Sequence, residues 1–245
     1  MIRTSKISQL KIVKMSMVIQ VVQNQSEIES VIARAEDVLQ AAYAGLDMMR
    51  SEKGSQKNLG LRNVLTFARS VTFVLQNLSS KSEDFDNFYT PHQEKMKADP
   101  VFSFFPDARN NLEKQGKLQI EVKAEITLSS ADMQAINVGK PPGAKSFFIG
   151  DELGGSGWLV DLPNGEELKY YTVVPTSVAS VETHFNGVLI EKFLPDDGRS
   201  AVELSEHILE QLSIIVDDAR LVYLDQPPAE RYNGKPLPSY LRIVK

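Results

Sequence analysis

The chain has 245 residues, 42% of them apolar and 24% charged, with a formal net charge of −5, enough for one large or two small domains with a sizeable core. The negative balance argues against a general nucleic-acid partner, which needs a basic face to neutralise phosphates. Cysteine is absent, which removes disulfides, thiol catalysis and Cys-ligated zinc and fits a reducing cytoplasm; no run reaches the ~18 apolar residues of a membrane span.

Residues 1–14 carry Arg3, Lys6, Lys11 and Lys14 with no acid. The apolar run behind them, Met17–Val22, is broken by Gln20 and lacks a small-residue cleavage site, so a signal peptide does not fit. Residues 1–25 are therefore expected to be a disordered basic arm. Ser26 and Glu29 have the spacing of a capping box, and Ile28, Ile32, Ala35, Leu39, Ala42 and Leu46 follow at helical period. Lys53–Asn58 is read as a polar loop.

A second helix is expected over Leu61–Leu78, widened by Phe67, Phe73 and Val74 so that it is buried on more than one side. A third starts near Asp84 and includes Phe88, Tyr89 and the helix-disturbing Pro91. A fourth opens on Asp99-Pro100, a capping acid followed by the residue favoured at the first helical position, and closes on Gly116. Four helices with short connections predict an antiparallel four-helix bundle over residues 26–116.

At Lys117 the period changes. Leu118, Ile120, Val122, Ala124, Ile126 and Leu128 alternate with polar residues, the pattern of a half-buried strand. Residues 158–162 and 167–174 flank Pro163-Asn164-Gly165, a strong hairpin signal. Another strand is expected over Val181–Ile190, with Asn186-Gly187 as a place where it splits into a second hairpin. Ser200 and Glu203 form a further capping box, opening a helix to about Leu224. From Gln226 the chain holds four of its 12 prolines and reads as an extended tail on the surface. The expected fold is α+β: the helical bundle, then residues 117–245 as a small antiparallel β-sheet with one long C-terminal helix and the Pro-rich tail.

Chemistry is sparse. The Gly-rich stretch Gly150–Gly157 has no helix after it and no lysine in place for a phosphate loop, so it reads as a turn. His92, His184 and His207 lack the spacing of a helical metal site, and no metal or cofactor is expected. Asp196-Asp197 and Asp217-Asp218 are sequence neighbours that point in different directions. Arg62 and Arg69 lie seven apart on one side of the second helix, and Arg69, set among Phe67, Ala68 and Val71, needs a polar partner. Trp158, Tyr170 and Tyr171 of the hairpin offer a binding surface or cross-strand packing.

The helical half, with Arg109-Asn110 in its last helix, resembles the HEPN superfamily over residues 26–116. That resemblance implies a metal-independent ribonuclease site formed across a dimer, begun by arginine and completed by a histidine a few residues on. Here the corresponding positions are Glu113, Lys114, Gln115 and Gly116, so the imidazole is missing. Residues 61–116 also resemble the helical halves of bacterial proteins with no assigned activity. Two functions are carried forward. One is a cytoplasmic, non-enzymatic interaction or ligand-sensing module, dimerising through its bundle, with Arg62, Arg69, Trp158 and Tyr170 as binding residues. The other is a ribonuclease using Arg109, Asn110 and Lys114.

Overall fold

The computed structural model describes residues 2–51, 54–127, 129–152, 154–174, 178–232 and 235–237, without the side chains of residues 2–22, 54, 55, 130 and 133. The basic side chains of residues 3–14, the strand end at Leu128 and the tail beyond residue 237 lie outside the described residues. The fold is α+β, with 59% of the chain helical and several antiparallel sheets. Its elements are α1 (Ile2–Met49), α2 (Gly54–Leu75), α3 (Phe85–Ala98), α4 (Pro100–Gln115), β1 (Ile120–Ile126), α5 (Ser130–Val138), β2 (Ala144–Phe148), β3 (Ser156–Asp161), β4 (Glu167–Thr172), β5 (Ala179–Phe185), α6 (Val188–Phe193), α7 (Ala201–Leu224), β6 (Arg231–Tyr232) and β7 (Lys235–Pro236).

Several sequence expectations are corrected. α1 does not start at Ser26 but runs through it. No glycine precedes Gly45 and no proline precedes Pro91, so nothing in the upstream chain breaks a helix, and a capping preference alone does not end one. The loop expected over residues 53–58 is the first turn of α2 from Gly54 onward. Phe73, assigned to a buried stripe, is 47% exposed. The strand expected to reach Ile190 stops at Phe185, because Gly187, at φ 79°, turns the chain into α6. α5, opened by a reciprocal Ser129–Asp132 capping box, and β2 have no counterpart in the expected elements.

Other local signals hold. The Asp99 carboxylate accepts from the Val101 N–H at 2.9 Å, and Gly116, at φ 67°, donates to the Leu112 carbonyl. α4 passes unbroken through Pro106 and buries Val101, Phe104, Phe105 and Leu112. Ser200 and Glu203 cap α7 reciprocally at 2.7–3.2 Å.

The chain clusters into two compact units. The first comprises Met1–Gln40, Ser70–Lys95 and Leu212–Lys245. Its core draws Ile28, Ile32 and Leu39 from α1, Val71 and Leu75 from α2, Phe88 from α3, and Leu212 and Val216 from α7. Tyr223 meets Phe88 edge-on at 5.3 Å.

The second comprises Ala41–Arg69 and Met96–Gln211. There β1 pairs antiparallel with β5, from Ile120↔Phe185 to Ile126↔Ala179, and β2, β3 and β4 form a three-stranded antiparallel sheet in that order. Phe185 of β5 meets Phe104 and Phe105 of α4 edge-on, with ring centres 4.8 and 6.1 Å apart. Glycine sets the closest approach in this unit: a Cβ on Gly60 of α2 would stand 2.4 Å from the Gly45 carbonyl oxygen of α1, and one on Gly45 would stand 2.8 Å from the Gly60 oxygen. The two backbones touch where a methyl group has no room.

Gly60→Ala should therefore destabilise the chain by about 1–3 kcal/mol through overpacking. Gly198→Ala, with nothing within 4 Å of the added methyl, should leave the urea midpoint nearly unchanged. Equal midpoints for the two variants would refute the crossing.

Candidate functional site

The loop between β2 and β3 gathers a dense polar network in the second unit. Asp151 sits at its centre, its side chain 6% exposed. Its Oδ1 accepts from the Gly155 N–H at 3.0 Å. Its Oδ2 accepts from Lys169 Nζ at 2.9 Å and from the Tyr171 hydroxyl at 2.7 Å. Lys169 also donates to both oxygens of Glu152, at 2.8 and 2.9 Å. Alternation on β4 places Lys169 and Tyr171 on the same sheet face, toward the loop.

Two pKa consequences follow. The Lys169 hydrogen bond holds the Glu152 carboxyl below the usual range. Burial first, then the adjacent Asp151, pushes the Tyr171 hydroxyl up to about 12. Gly150 and Gly154, at φ 69° and 71°, take left-handed positions in this loop. The Asp151 carboxylate in its interior would repel a phosphate.

Lys57, in the first turns of α2, reaches the same loop. Its Nζ donates to the carbonyls of Gly154 and Val181, both at 3.4 Å, and burial lowers its pKa. No pattern marked it, since its acceptors lie 97 and 124 residues away in sequence. The same loop lies over the β1–β5 ribbon: a Cβ on Gly150 would come within 3.3–3.6 Å of Ala124, Val122 and Val181.

On the other face of the three-stranded sheet runs an aromatic row. Phe147 of β2 stands opposite Trp158 of β3, and Trp158 opposite Tyr170 of β4. The Phe147 and Trp158 rings meet edge-on at 4.9 Å, with Lys140 Nζ 5.4 Å from the Trp158 ring centre. Trp158 is buried at 5% exposure, whereas Tyr170 is 49% exposed. The structure thus brings Trp158 and Tyr170 into one cross-strand pair.

The remaining sequence candidates lie elsewhere. Arg62 donates to the Gly116 carbonyl at 2.9 Å, placing a cation at the negative end of the α4 dipole. Arg69 is half-buried on α2. Arg109 pairs with Glu113 one turn on at 2.7 Å and approaches Asn110 Oδ1 at 3.4 Å, while its Nε is buried without a hydrogen-bond partner. Asn110 and Lys114 are exposed. His184 is buried and lies 3.4 Å from Glu182; His207 meets the capping Asp99 at 2.6 Å. Among the described residues no group of three or more His, Cys, Asp or Glu is placed to hold a metal ion, and no helix is long and apolar enough to cross a membrane.

With this geometry in hand, the comparisons can be placed on the chain. Residues 53–143 match the family model of Bacteriophage lambda protein ea47. Protein ea47 of Escherichia phage lambda is 36% identical over 74 residues, 30% of this chain and 18% of that protein. The match thus takes in less than a fifth of the relative's length. No solved structure matches the chain.

These findings overturn the HEPN resemblance: the stretch that suggested it matches the ea47 model instead, and no HEPN family is found. The physical source of the error is visible at Arg109. An arginine followed four residues later by glutamate forms an ordinary helical ion pair, and the Arg-Asn dyad alone does not specify a site.

Two outcomes test the loop network. Asp151→Ala leaves the Tyr171 hydroxyl and the Gly155 amide without their acceptor and removes one of those of Lys169, and should cost about 1–3 kcal/mol in chemical denaturation, whereas Glu152→Ala, at an exposed position, should leave the midpoint nearly unchanged. Lys57 has a folded pKa below the ordinary 10.5, so the unfolded chain binds the extra proton between the two values and stability rises with pH across that window. Lys57→Met should flatten that rise in urea titrations run from neutral pH to pH 10.5; an unchanged slope would exclude the assignment.

Proposed function

We propose that the chain is a phage-type, non-enzymatic interaction module that docks an extended apolar segment of a partner along β4. The observation that carries this reading is the composition of the sheet edges. β4 is an outer strand, and Leu168 and Tyr170 on one face and Tyr171 on the other are 40–49% exposed, with Val173 just beyond at 58%.

Open edges are ordinarily blunted by charge, proline or a bulge, and β2 and β1 are. β2 follows Pro141-Pro142 and carries a bulge between Ala144 and Ser146. β1 alternates Glu121, Lys123 and Glu125 along one side. Among the described residues, β4 presents an outer edge with Leu168 and Tyr170 exposed on one face and Tyr171 beside Lys169 on the other, which suits strand addition.

In this reading Trp158 backs the contact and Tyr170 makes it. The Asp151 network holds β4 in register from the opposite face, and the four N-terminal helices, as the antiparallel bundle expected from their spacing, act as scaffold.

Selection of short peptides from a random library, followed by amide chemical-shift mapping, tests the proposal. The expected peptides alternate apolar residues and perturb residues 167–172, and Tyr170→Lys should abolish their binding. Shifts that map away from β4, or turnover of RNA or nucleotide by the purified chain, would overturn it.

A further inference from the structure

The two faces of the β4 edge differ in chemistry. One presents Leu168 and Tyr170 beside Val160 and Trp158 of β3. The other carries Glu167 and Lys169, and each of these belongs to a group of one lysine and two carboxylates. In the first group Lys145 Nζ lies 2.9 Å from Asp161 Oδ1 and 3.3 Å from Glu167 Oε1, where Asp161 and Glu167 stand opposite each other on β3 and β4. In the second, Lys169 Nζ is shared between Asp151 and Glu152.

One cation between two anions leaves each group with a negative charge in excess. The neighbouring lysines are engaged elsewhere: Lys57 donates to the carbonyls of Gly154 and Val181, and Lys140 stands against the Trp158 ring. Glu167 and Glu152 are exposed, whereas the Asp151 side chain is buried among its donors, so the excess meets solvent beside the open strand. A lysine on an edge ordinarily repels an incoming strand. Here Lys169 is drawn onto the loop acids, and carboxylates border the edge instead.

The spacing of the two groups is that of a strand. Same-face residues of any strand recur every second position, about 7 Å apart, which is the interval from Glu167 to Lys169 with its partner Glu152. A strand laid beside β4 therefore brings two of its own same-face side chains to the two groups in step. Its intervening side chains fall on the side of Leu168 and Tyr170.

We infer that the segment received by β4 is a basic amphipathic strand, with Lys or Arg two residues apart on one side and apolar side chains on the other. This rests on the strand-docking reading above and specifies its partner. An acidic strand meets like charge at both groups, and a second copy of β4 is a poor occupant because it brings the same surplus of acid.

Three synthetic peptides test the inference on the full chain: valine alternating with lysine, with serine or with glutamate. Binding is followed by the amide shifts of residues 167–172. The lysine peptide should bind about five-fold more tightly than the serine peptide, the size expected of two exposed ion pairs, and the glutamate peptide should bind most weakly. Added salt should shrink the difference. Glu167→Gln and Glu152→Gln should each reduce the preference for lysine. Glu83→Gln, which removes the same charge from an exposed site in the first unit, should leave it unchanged.

Equal binding of the three peptides at β4 overturns the inference, and so does an equal loss of preference in Glu83→Gln, which assigns the attraction to net charge. In both cases the strand-docking reading stands. An absence of shifts at residues 167–172 with every peptide overturns that reading and this inference with it.

Discussion

The backbone contact between Gly45 and Gly60 is the constraint from which the second unit is built. With neither residue carrying a side chain, α2 lies directly against α1, and the axial position of α2 is set to within the size of a methyl group. Everything α2 delivers inherits that precision. Lys57, three residues before the crossing, meets the carbonyls of Gly154 and Val181. Arg62, two residues after it, meets the end of α4 at Gly116. Leu61, Val64, Leu65 and Ala68, on the turns that follow, are at most 3% exposed. A displacement of α2 by one side-chain layer would separate all of these contacts together.

The network around Asp151 extends this dependence into the sheet. A buried carboxylate is tolerated only when its oxygens are satisfied, and here the partners come from the loop itself and from alternate residues of β4. The loop cannot move without leaving a charge unpaired, and β4 cannot slip by one residue without sending Lys169 and Tyr171 to the opposite face. The acid therefore fixes the register that sets Trp158 against Tyr170. The half-exposed Tyr170 edge is held in place from the opposite face of the sheet.

What was legible in the sequence is what short-range physics decides. Asp99-Pro100 and Gly116 bound α4, Ser200 and Glu203 open α7, and Asn164-Gly165 turns between β3 and β4, because each of these acts on backbone within four residues of itself. The same kinds of signal misled wherever a longer-range outcome competed. Ser26 and Glu29 lie inside α1 because the chain before them is free of helix breakers. Asn186-Gly187 leads into a helix, since Gly187 at φ 79° turns the chain from β5 into α6. Of the site, Trp158 and Tyr170 were visible as aromatics of a hairpin, whereas Lys57 and Asp151 were not. A lysine in a polar stretch and an aspartate in a glycine-rich turn acquire meaning only from partners elsewhere in the chain.

The two units handle charge in different ways. In the second, Asp151 is satisfied by donors from its own loop and from a neighbouring strand, so the bonds lock elements that already pair through their backbones. In the first, Asp217 is satisfied by the N–H of Ala229 and the guanidinium of Arg231, on the segment that follows α7, in which the two-residue strands β6 and β7 pair. Polar groups of that kind give specificity of fit rather than permanence, because water can compete for each bond when the segment lifts.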